Sequence, residues 1–153
     1  MIAPVVKMIK VDCSPEKAFK VFVNDLSKWW PTQTHSVTAM NGGVLPDVFC
    51  DQQEGGKLYE VAKDGTRHDW GTIKLYQPPK ALSILWHMNN PESMATCVDV
   101  TFEKDREGTK VVLSHHDWEK LGEVGSAMRE SYNNGWVSVF EMRFKDACNA
   151  SAG

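Results

Sequence analysis

Residues 121–142 carry the sequence LGEVGSAMRESYNNGWVSVFEM, the longest helical pattern in the chain. At 3.6 residues per turn, the apolar side chains of this segment fall in one arc of roughly 160°, while Glu130, Asn134 and Glu141 lie opposite. The arc comprises Leu121, Val124, Met128, Tyr132, Gly135, Trp136, Val139, Phe140 and Met142. This arc is wider than a surface helix needs. The pattern therefore predicts a helix enclosed by a curved sheet, with residues 149–153 fraying beyond its end.

A series of strand-length segments before this helix predicts the sheet. The segments are separated by turn signals at Gly55-Gly56, Asp64-Gly65, Pro78-Pro79, Asn89-Asn90-Pro91 and Glu107-Gly108. Within the segments, apolar side chains alternate with polar ones, so that one face of each strand is apolar. The alternation places His115 on the apolar face and His116 on the opposite face. Because no helical pattern interrupts the segments, they predict an antiparallel meander of six strands.

The N-terminal part of the chain predicts one more strand and two short helices. Residues 5–12 mix β-branched residues and lysines with a period near two, which is typical of a strand. Ser14 is a suitable helix cap, and Pro15 suits the first helical turn. Asp25 begins a second short helix, and a polar segment, residues 32–43, leads to the meander. The fold class is therefore α+β.

Composition excludes several classes of function. The chain has 153 residues, 17 basic and 20 acidic side chains and a net charge of -3, which does not suit nucleic acid as the main partner. The N-terminal segment is too short and too polar for a signal peptide or a membrane span, so we expect a cytoplasmic protein with no membrane contact. Residues 1–153 are expected to form a single domain without disulfides, since the four cysteines lie far apart.

Neither a metal site nor a cofactor is expected from the motifs. The five histidines lack the helical spacing and the cysteine pairs that are typical of zinc sites, and His115 and His116 point to opposite faces. A glycine-rich phosphate loop, a nucleophile elbow and a pair of catalytic carboxylates are all missing. Gly71, inside a predicted strand, indicates a bulge or bend that curves the sheet.

The order of one strand, two short helices, six strands and a long helix resembles the helix-grip fold of the START and birch-pollen-allergen superfamily, also called SRPBCC. Five stretches are similar to the bacterial branch that resembles the C-terminal domain of the activator of heat-shock-protein ATPase. They are VDCSPEKAFKVF with the following WWP, GGKLYEVAKDG, WGTIKLYQPPKALSILW, GTKVVLSHHDWEKLG and RESYNNGW. Related sequences commonly carry a glycine where this chain has Asp117.

The resemblance implies a curved sheet around the helix, but it implies little about chaperone activity. Eukaryotic co-chaperones of this type contact the chaperone through a separate N-terminal domain. A chain of this length is not expected to hold one.

The candidate site lies where the apolar faces of the sheet and the helix should meet. Its residues are Trp86, Thr96, His115, Tyr132 and Trp136, with Arg129 at the edge of the arc. Aromatic rings with a few polar groups are typical of a small-molecule site, although tryptophans at core spacing equally suit a filled core. His115 is either a hydrogen-bonded core histidine or a ligand contact and proton acceptor. Glu60 is a possible partner for it, if its side chain points inward.

Three functions are compatible with these residues. The first is binding of a small hydrophobic molecule in a cavity between the sheet and the C-terminal helix. The second is a cyclase, dehydratase or hydrolase that uses His115 with Tyr132 or Glu60 as acid and base. The third, by analogy with the resembling proteins, is regulation of a chaperone ATPase. The identity of the ligand and the choice between monomer and homodimer are not predicted by the sequence.

Overall fold

Seven strands form one antiparallel sheet in the computed structural model, which describes residues 2–31, 36, 47–88 and 90–150. The strands are β1 (Val5–Val11), β2 (Asp47–Cys50), β3 (Lys57–Val61), β4 (Arg67–Gln77), β5 (Ala81–Trp86), β6 (Thr96–Asp105) and β7 (Gly108–His116). Their order across the sheet is β1-β7-β6-β5-β4-β3-β2. The predicted six-strand meander is therefore confirmed, and β1 extends it at one edge by pairing with β7.

A bulge in β4 supports the interpretation of Gly71. Leu58 of β3 lies opposite Gly71, whereas Tyr59 lies opposite Asp69, so Trp70 is the extra residue. A side chain at position 71 would approach the carbonyl oxygen of Leu85 to 2.5 Å, which explains why this position holds glycine. The extra residue bends the strand locally, and the Trp70 ring is fully buried.

Two short helices follow β1, as predicted. They are α1 (Pro15–Asn24) and α2 (Leu26–Trp29). The hydroxyl of Ser14 accepts a hydrogen bond from the backbone N–H of Lys17 at 3.2 Å, which caps α1. Apart from Ser36, the predicted polar segment lies outside the described residues.

The long C-terminal helix is assembled from several pieces. A 3₁₀ segment (Trp118–Val124) leads into α3 (Gly125–Trp136), which continues through a π-helical segment (Val137–Phe144) into α4 (Lys145–Ala150). Asp117, just before these pieces, has a left-handed φ of 72°. This is a conformation that suits glycine, and aspartate is among the few other residues that adopt it. Residues 149 and 150 still belong to the helix, and the rest of the predicted fraying segment, 151–153, lies outside the described residues.

The π-helical segment changes which side chains of this helix are buried. The predicted arc is correct for Trp136, Val139 and Phe140, but Val124 and Met142 are 52% and 57% exposed. Farther along the chain the buried side chains are Phe144 and Cys148, so the inward positions recur every four residues. In an α-helix each step of four residues overshoots a full turn by about 40°. The wider turns of the π-helix remove this drift, which a prediction at 3.6 residues per turn could not anticipate.

The C-terminal helix also holds β1 at both of its ends. At the start of β1, the Arg129 guanidinium donates to the carbonyl oxygens of Ala3 at 2.8 Å and Pro4 at 3.1 Å. Just beyond the end of β1, the side-chain oxygen of Asn149 accepts from the N–H of Asp12 at 3.0 Å. The first strand and the last helix are therefore fastened to each other.

The helix and the inner face of the sheet enclose the core. All four cysteines are free thiols in this structure. In the part of the chain that the structure describes, no helix has the length and apolarity required to cross a membrane.

Candidate functional site

His115 lies at the centre of the interface between sheet and helix. It is near the end of β7, paired with Val5 on one side and Val98 on the other, and it is fully buried. The Trp118 indole donates to its carbonyl oxygen at 3.0 Å. The predicted orientations are confirmed, because the side chain of its neighbour His116 lies on the other face and is 34% exposed.

The two ring nitrogens of His115 are both hydrogen-bonded inside the protein. The Trp136 indole Nε1 lies 3.1 Å from Nδ1, and the Thr96 hydroxyl lies 2.7 Å from Nε2. Since an indole N–H only donates, Nδ1 must be the acceptor and the ring proton must reside on Nε2. Nε2–H then donates to Thr96 Oγ1, whose own proton goes to the carbonyl oxygen of Trp86 at 3.2 Å. The contacts therefore select one neutral tautomer.

This environment keeps His115 uncharged. Burial, assisted by the nearby charge of His116, lowers its pKa to about 3. Near neutral pH the ring is neutral, and its lone pair on Nδ1 already accepts from Trp136. Proton abstraction by His115 would require this hydrogen bond to break.

Tyr132, which is on α3, lies beside His115. Its ring centroid is 4.9 Å from that of His115, and its hydroxyl accepts a hydrogen bond from the Trp86 indole at 3.0 Å. Burial raises the pKa of Tyr132, although the Trp86 hydrogen bond opposes this. Tyr132 is therefore a neutral phenol whose own proton is available to a further acceptor.

Four tryptophans connect the candidate residues. The rings of Trp30, Trp70, Trp86 and Trp136 lie with centroids 5.0 to 6.0 Å apart, at tilted or edge-on angles. We call these four residues the tryptophan cluster. Their spacing is that of favourable aromatic packing in a core. Trp30 and Trp70 were not among the predicted site residues. Gly71, which indicated a bulge, is the sequence signal beside Trp70 that could have drawn attention to it.

Glu60 lies at the opposite end of the tryptophan cluster from His115. Its side chain is fully buried and accepts a hydrogen bond from the Trp70 indole at 2.7 Å. The structure thus points Glu60 inward but brings it to Trp70, while His115 is bonded to Trp136 and Thr96. Arg129 lies at the edge, where it binds the N-terminal carbonyl groups and the carboxylate of Glu130.

A small cavity remains between the sheet and α3, next to these residues. Its volume is about 10 Å³, close to the space that one water molecule needs. It is lined by Trp86, His87, Asn90, Met94, Thr96, Trp118, Leu121, Met128 and Tyr132. In the part of the chain that the structure describes, the aromatic side chains leave little free space beside the candidate residues.

One side chain of this cavity has an unsatisfied polar atom. The Nδ1–H of His87 donates to the carbonyl oxygen of Asn90 at 3.1 Å, so Nε2 carries the lone pair. That nitrogen is buried and has no hydrogen-bond partner in the described structure. Alternation with the inward-facing Trp86 would place His87 on the outer face, but β5 ends at Trp86 and the alternation does not extend to His87.

A larger groove lies elsewhere, between α1 and the end of β4. Its volume is about 290 Å³, and it is lined by Glu16, Phe19, Lys20, Val23, Gln52, Tyr76, Pro78 and Pro79. None of the predicted site residues lines it. The groove is wide open to solvent, whereas the cavity beside Tyr132 borders the predicted residues.

Several solved structures have the same fold and match this chain over almost its whole length. CalC, a self-sacrificing resistance protein from Micromonospora echinospora, has a TM-score of 0.71 at 23% identity, over 99% of this chain and 97% of CalC. The Aha1 dimer from Colwellia psychrerythraea has a TM-score of 0.66 at 21% identity, over 99% of this chain and 100% of that one. The anthrahydroquino-gamma-pyrone synthase Txn09, solved as a complex, has a TM-score of 0.66 at 24% identity, over 95% of this chain and 97% of Txn09. At these identities the likeness establishes the helix-grip fold.

Sequence comparison establishes the family. A search of curated proteins finds no significant match. Residues 12–148, from the end of β1 into α4, match the profile of one protein family. The chain belongs to the family described as activator of Hsp90 ATPase homolog 1-like protein.

Proposed function

We propose that the protein binds a small, largely apolar molecule at the cavity beside Trp86, His87 and Tyr132. The observation that carries this proposal is the buried Nε2 of His87, which has no partner in the described structure and borders an apolar cavity. An unpaired buried acceptor costs free energy, and a ligand or water that donates to it recovers that cost.

The polar groups at the cavity indicate the chemistry of the ligand. Nε2 of His87 requires a donor, whereas the Tyr132 hydroxyl, which accepts from Trp86, has a proton to donate. The other lining side chains are mostly aromatic or thioether. A planar aromatic molecule with a hydroxyl group fits this combination best.

Binding requires the cavity to enlarge. Met94, Leu121 and Met128 form its apolar side, and methionine adapts to new shapes at low cost. Burial of roughly 300 Å² of ligand surface would contribute about 7 kcal/mol before the cost of association. Since a micromolar dissociation constant needs about 8.2 kcal/mol, that cost leaves binding much weaker than micromolar unless the polar contacts add to it.

Two matched probes test the proposal. 2-Naphthol carries the required hydroxyl, and 2-methoxynaphthalene has the same ring without a proton to donate. In ¹⁵N-labelled protein, 2-naphthol should shift the indole N–H signal of Trp86, and 2-methoxynaphthalene should bind about tenfold more weakly. The variant His87→Leu should remove the difference, while Tyr76→Phe in the outer groove should preserve it. The proposal fails if neither probe moves the Trp86 signal, or if the shifts centre on Phe19 and Tyr76.

The two other functions have less support. Catalysis by His115 with Tyr132 or Glu60 is disfavoured because both ring nitrogens of His115 are engaged within the core and Glu60 is bonded to Trp70. Regulation of a chaperone ATPase has family membership as its support. An assay of a purified chaperone with and without this protein tests that role, and an unchanged ATPase rate argues against it.

A further inference from the structure

The outer face of the sheet carries a second cluster of reactive side chains. Cys97 and Asp99 lie on β6, and His116 lies on β7 directly opposite Cys97. Residues two apart on a strand share a face, as do residues paired across strands. The three side chains therefore converge, although His116 lies 17 residues from Asp99 in the sequence.

The donor atoms of this cluster are close together. His116 Nε2 lies 2.6 Å from Asp99 Oδ2, and Cys97 Sγ lies 3.5 Å from Asp99 Oδ1. The three atoms that could bind a metal ion all lie within 4.8 Å of one another. Cys97 is buried, whereas the side chains of Asp99 and His116 are 40% and 34% exposed, so an ion can reach the group from solvent.

We propose that Cys97 Sγ, Asp99 and His116 Nε2 bind a zinc-like divalent cation, with water as the fourth ligand. Thiolate, imidazole and carboxylate together are a ligand set that zinc prefers. A tetrahedral zinc ion holds its ligand atoms about 3.5 Å apart, so side-chain movements of about 1 Å would complete the site.

Asp117 gives the site a feature that is common at metal centres. Its carboxylate lies 3.1 Å from His116 Nδ1, on the side of the ring that faces away from Asp99. A metal-bound histidine usually donates its other N–H to a carboxylate, which fixes both the tautomer and the orientation of the ring. Asp117 is thus a positioning residue, and its left-handed backbone brings the carboxylate to this place.

Binding exchanges protons for the ion. The Cys97 thiol and the Nε2–H of His116 each release one proton to solvent, and the cation takes their place between thiolate, imidazole and carboxylate. Burial and the neighbouring Asp99 raise the pKa of Cys97 to about 12, so the thiolate needs the charge of the metal to form near neutral pH. The positive charge of Lys74 acts in the opposite direction, because it lowers the pKa of Cys97 and favours the thiolate.

Without a metal, the same residues form an ion-pair network. His116 then bridges Asp99 and Asp117 as an imidazolium, and the Ser83 hydroxyl donates to Asp99 at 2.6 Å. This network also accounts for Cys97, whose thiol donates to Asp99 Oδ1 at 3.5 Å. It predicts no spectroscopic response to metal, and this separates the two interpretations.

Cobalt provides the test, since it replaces zinc and reports thiolate coordination by its colour. We expect Co²⁺ added to the full-length, reduced protein to give a thiolate-to-cobalt charge-transfer band that Zn²⁺ removes. Cys97→Ser should abolish this band, and Cys50→Ser, which changes a thiol at the opposite edge of the sheet, should retain it. Asp117→Asn, which tolerates the left-handed backbone, should weaken cobalt binding by about tenfold or more.

A second measurement covers variants that fold poorly. Zn²⁺ should raise the Tm of the wild type and of Cys50→Ser, but not that of His116→Gln, whose far-ultraviolet circular dichroism reports whether it is folded. The proposal is overturned if Co²⁺ gives no charge-transfer band with the wild type, or if Cys97→Ser retains the band.

Discussion

The indole of Trp136 on α3 donates a hydrogen bond of 3.1 Å to Nδ1 of His115 on β7, joining the C-terminal helix to the sheet at the centre of the core. A histidine in this position would ordinarily carry the cost of an unsatisfied nitrogen. Because Thr96 accepts from the other nitrogen, the ring is satisfied on both sides, and the interface gains a polar contact that fixes how helix and sheet meet.

Replacement of the Trp136 indole should therefore destabilise the protein by more than the loss of packing alone. Trp136→Phe leaves Nδ1 of His115 buried without a donor, which we expect to reduce the free energy of unfolding by about 1–3 kcal/mol in addition to the loss of packing. Urea unfolding of Trp136→Phe, His115→Leu and the double variant measures the coupling. A double variant as unstable as the sum of the two single changes would contradict a direct bond.

The neutral state of His115 makes stability depend on pH. Its pKa is about 3 in the folded protein, against about 6.5 for an unperturbed histidine, so below pH 6.5 only the unfolded chain takes up this proton. The free energy of unfolding should fall with a slope of about 1.4 kcal/mol per pH unit from below pH 6.5 towards pH 3. Urea titrations of the wild type and His115→Gln isolate this contribution. Parallel pH profiles for the two proteins would rule it out.

His116 should show the opposite dependence. Burial lowers its pKa, but the hydrogen bonds to Asp99 and Asp117 outweigh burial and raise it. The stabilisation is fully present below the unfolded pKa and is lost as the pH rises through the folded pKa. In metal-free protein, an NMR titration should place the pKa of His116 above its ordinary value, and Asp99→Asn should lower it. An unchanged pKa in Asp99→Asn would show that Asp99 is not the partner.

The left-handed backbone at Asp117 predicts an order of stability among variants. Ala is strained at this φ and glycine is not, so Asp117→Gly should be about 1 kcal/mol more stable than Asp117→Ala. Both variants lose the contact with His116, and the comparison therefore isolates the backbone. Equal urea midpoints for the two would contradict the conformation.

The π-helical segment can be tested at two neighbouring positions. Phe144→Ala removes a fully buried ring and should cost about 3–5 kcal/mol, whereas Met142→Ala changes an exposed side chain and should cost less than about 0.5 kcal/mol. An uninterrupted α-helix would make the two costs more alike. Urea unfolding of both variants, with Val137→Ala as a second exposed control, distinguishes the two geometries.

Local patterns in the sequence predicted most of the fold, because strand alternation, turn residues and helix caps are properties of neighbouring residues. The inward orientation of His115 and the outward one of His116 followed from the same rule. Met142 was placed wrongly because a π-helical turn leaves no simple mark on a sequence. The position of Trp70 depended on a bulge whose consequence is set by the opposite strand.

The candidate sites were harder to predict, since they depend on contacts between distant segments. The orientation of His87 depends on where β5 ends, because a strand that continued by one residue would place the His87 side chain on the other side of the sheet. Cys97, Asp99 and His116 meet through the register of β6 and β7, whereas ligand spacing along a single segment gives no sign of them. The small volume of the cavity depends on how the tryptophan cluster packs, which alternation does not determine.

The fastening of β1 by the C-terminal helix also has a consequence for synthesis on the ribosome. Val5 pairs with His115, Ala3 and Pro4 bind Arg129, and Asp12 binds Asn149, so this strand finds its partners in segments that are made more than a hundred residues later. Domains generally fold as units, and late contacts of this kind slow folding. During synthesis β1 therefore emerges with its apolar side chains uncovered, and they stay uncovered until β7 and the C-terminal helix have also left the exit tunnel.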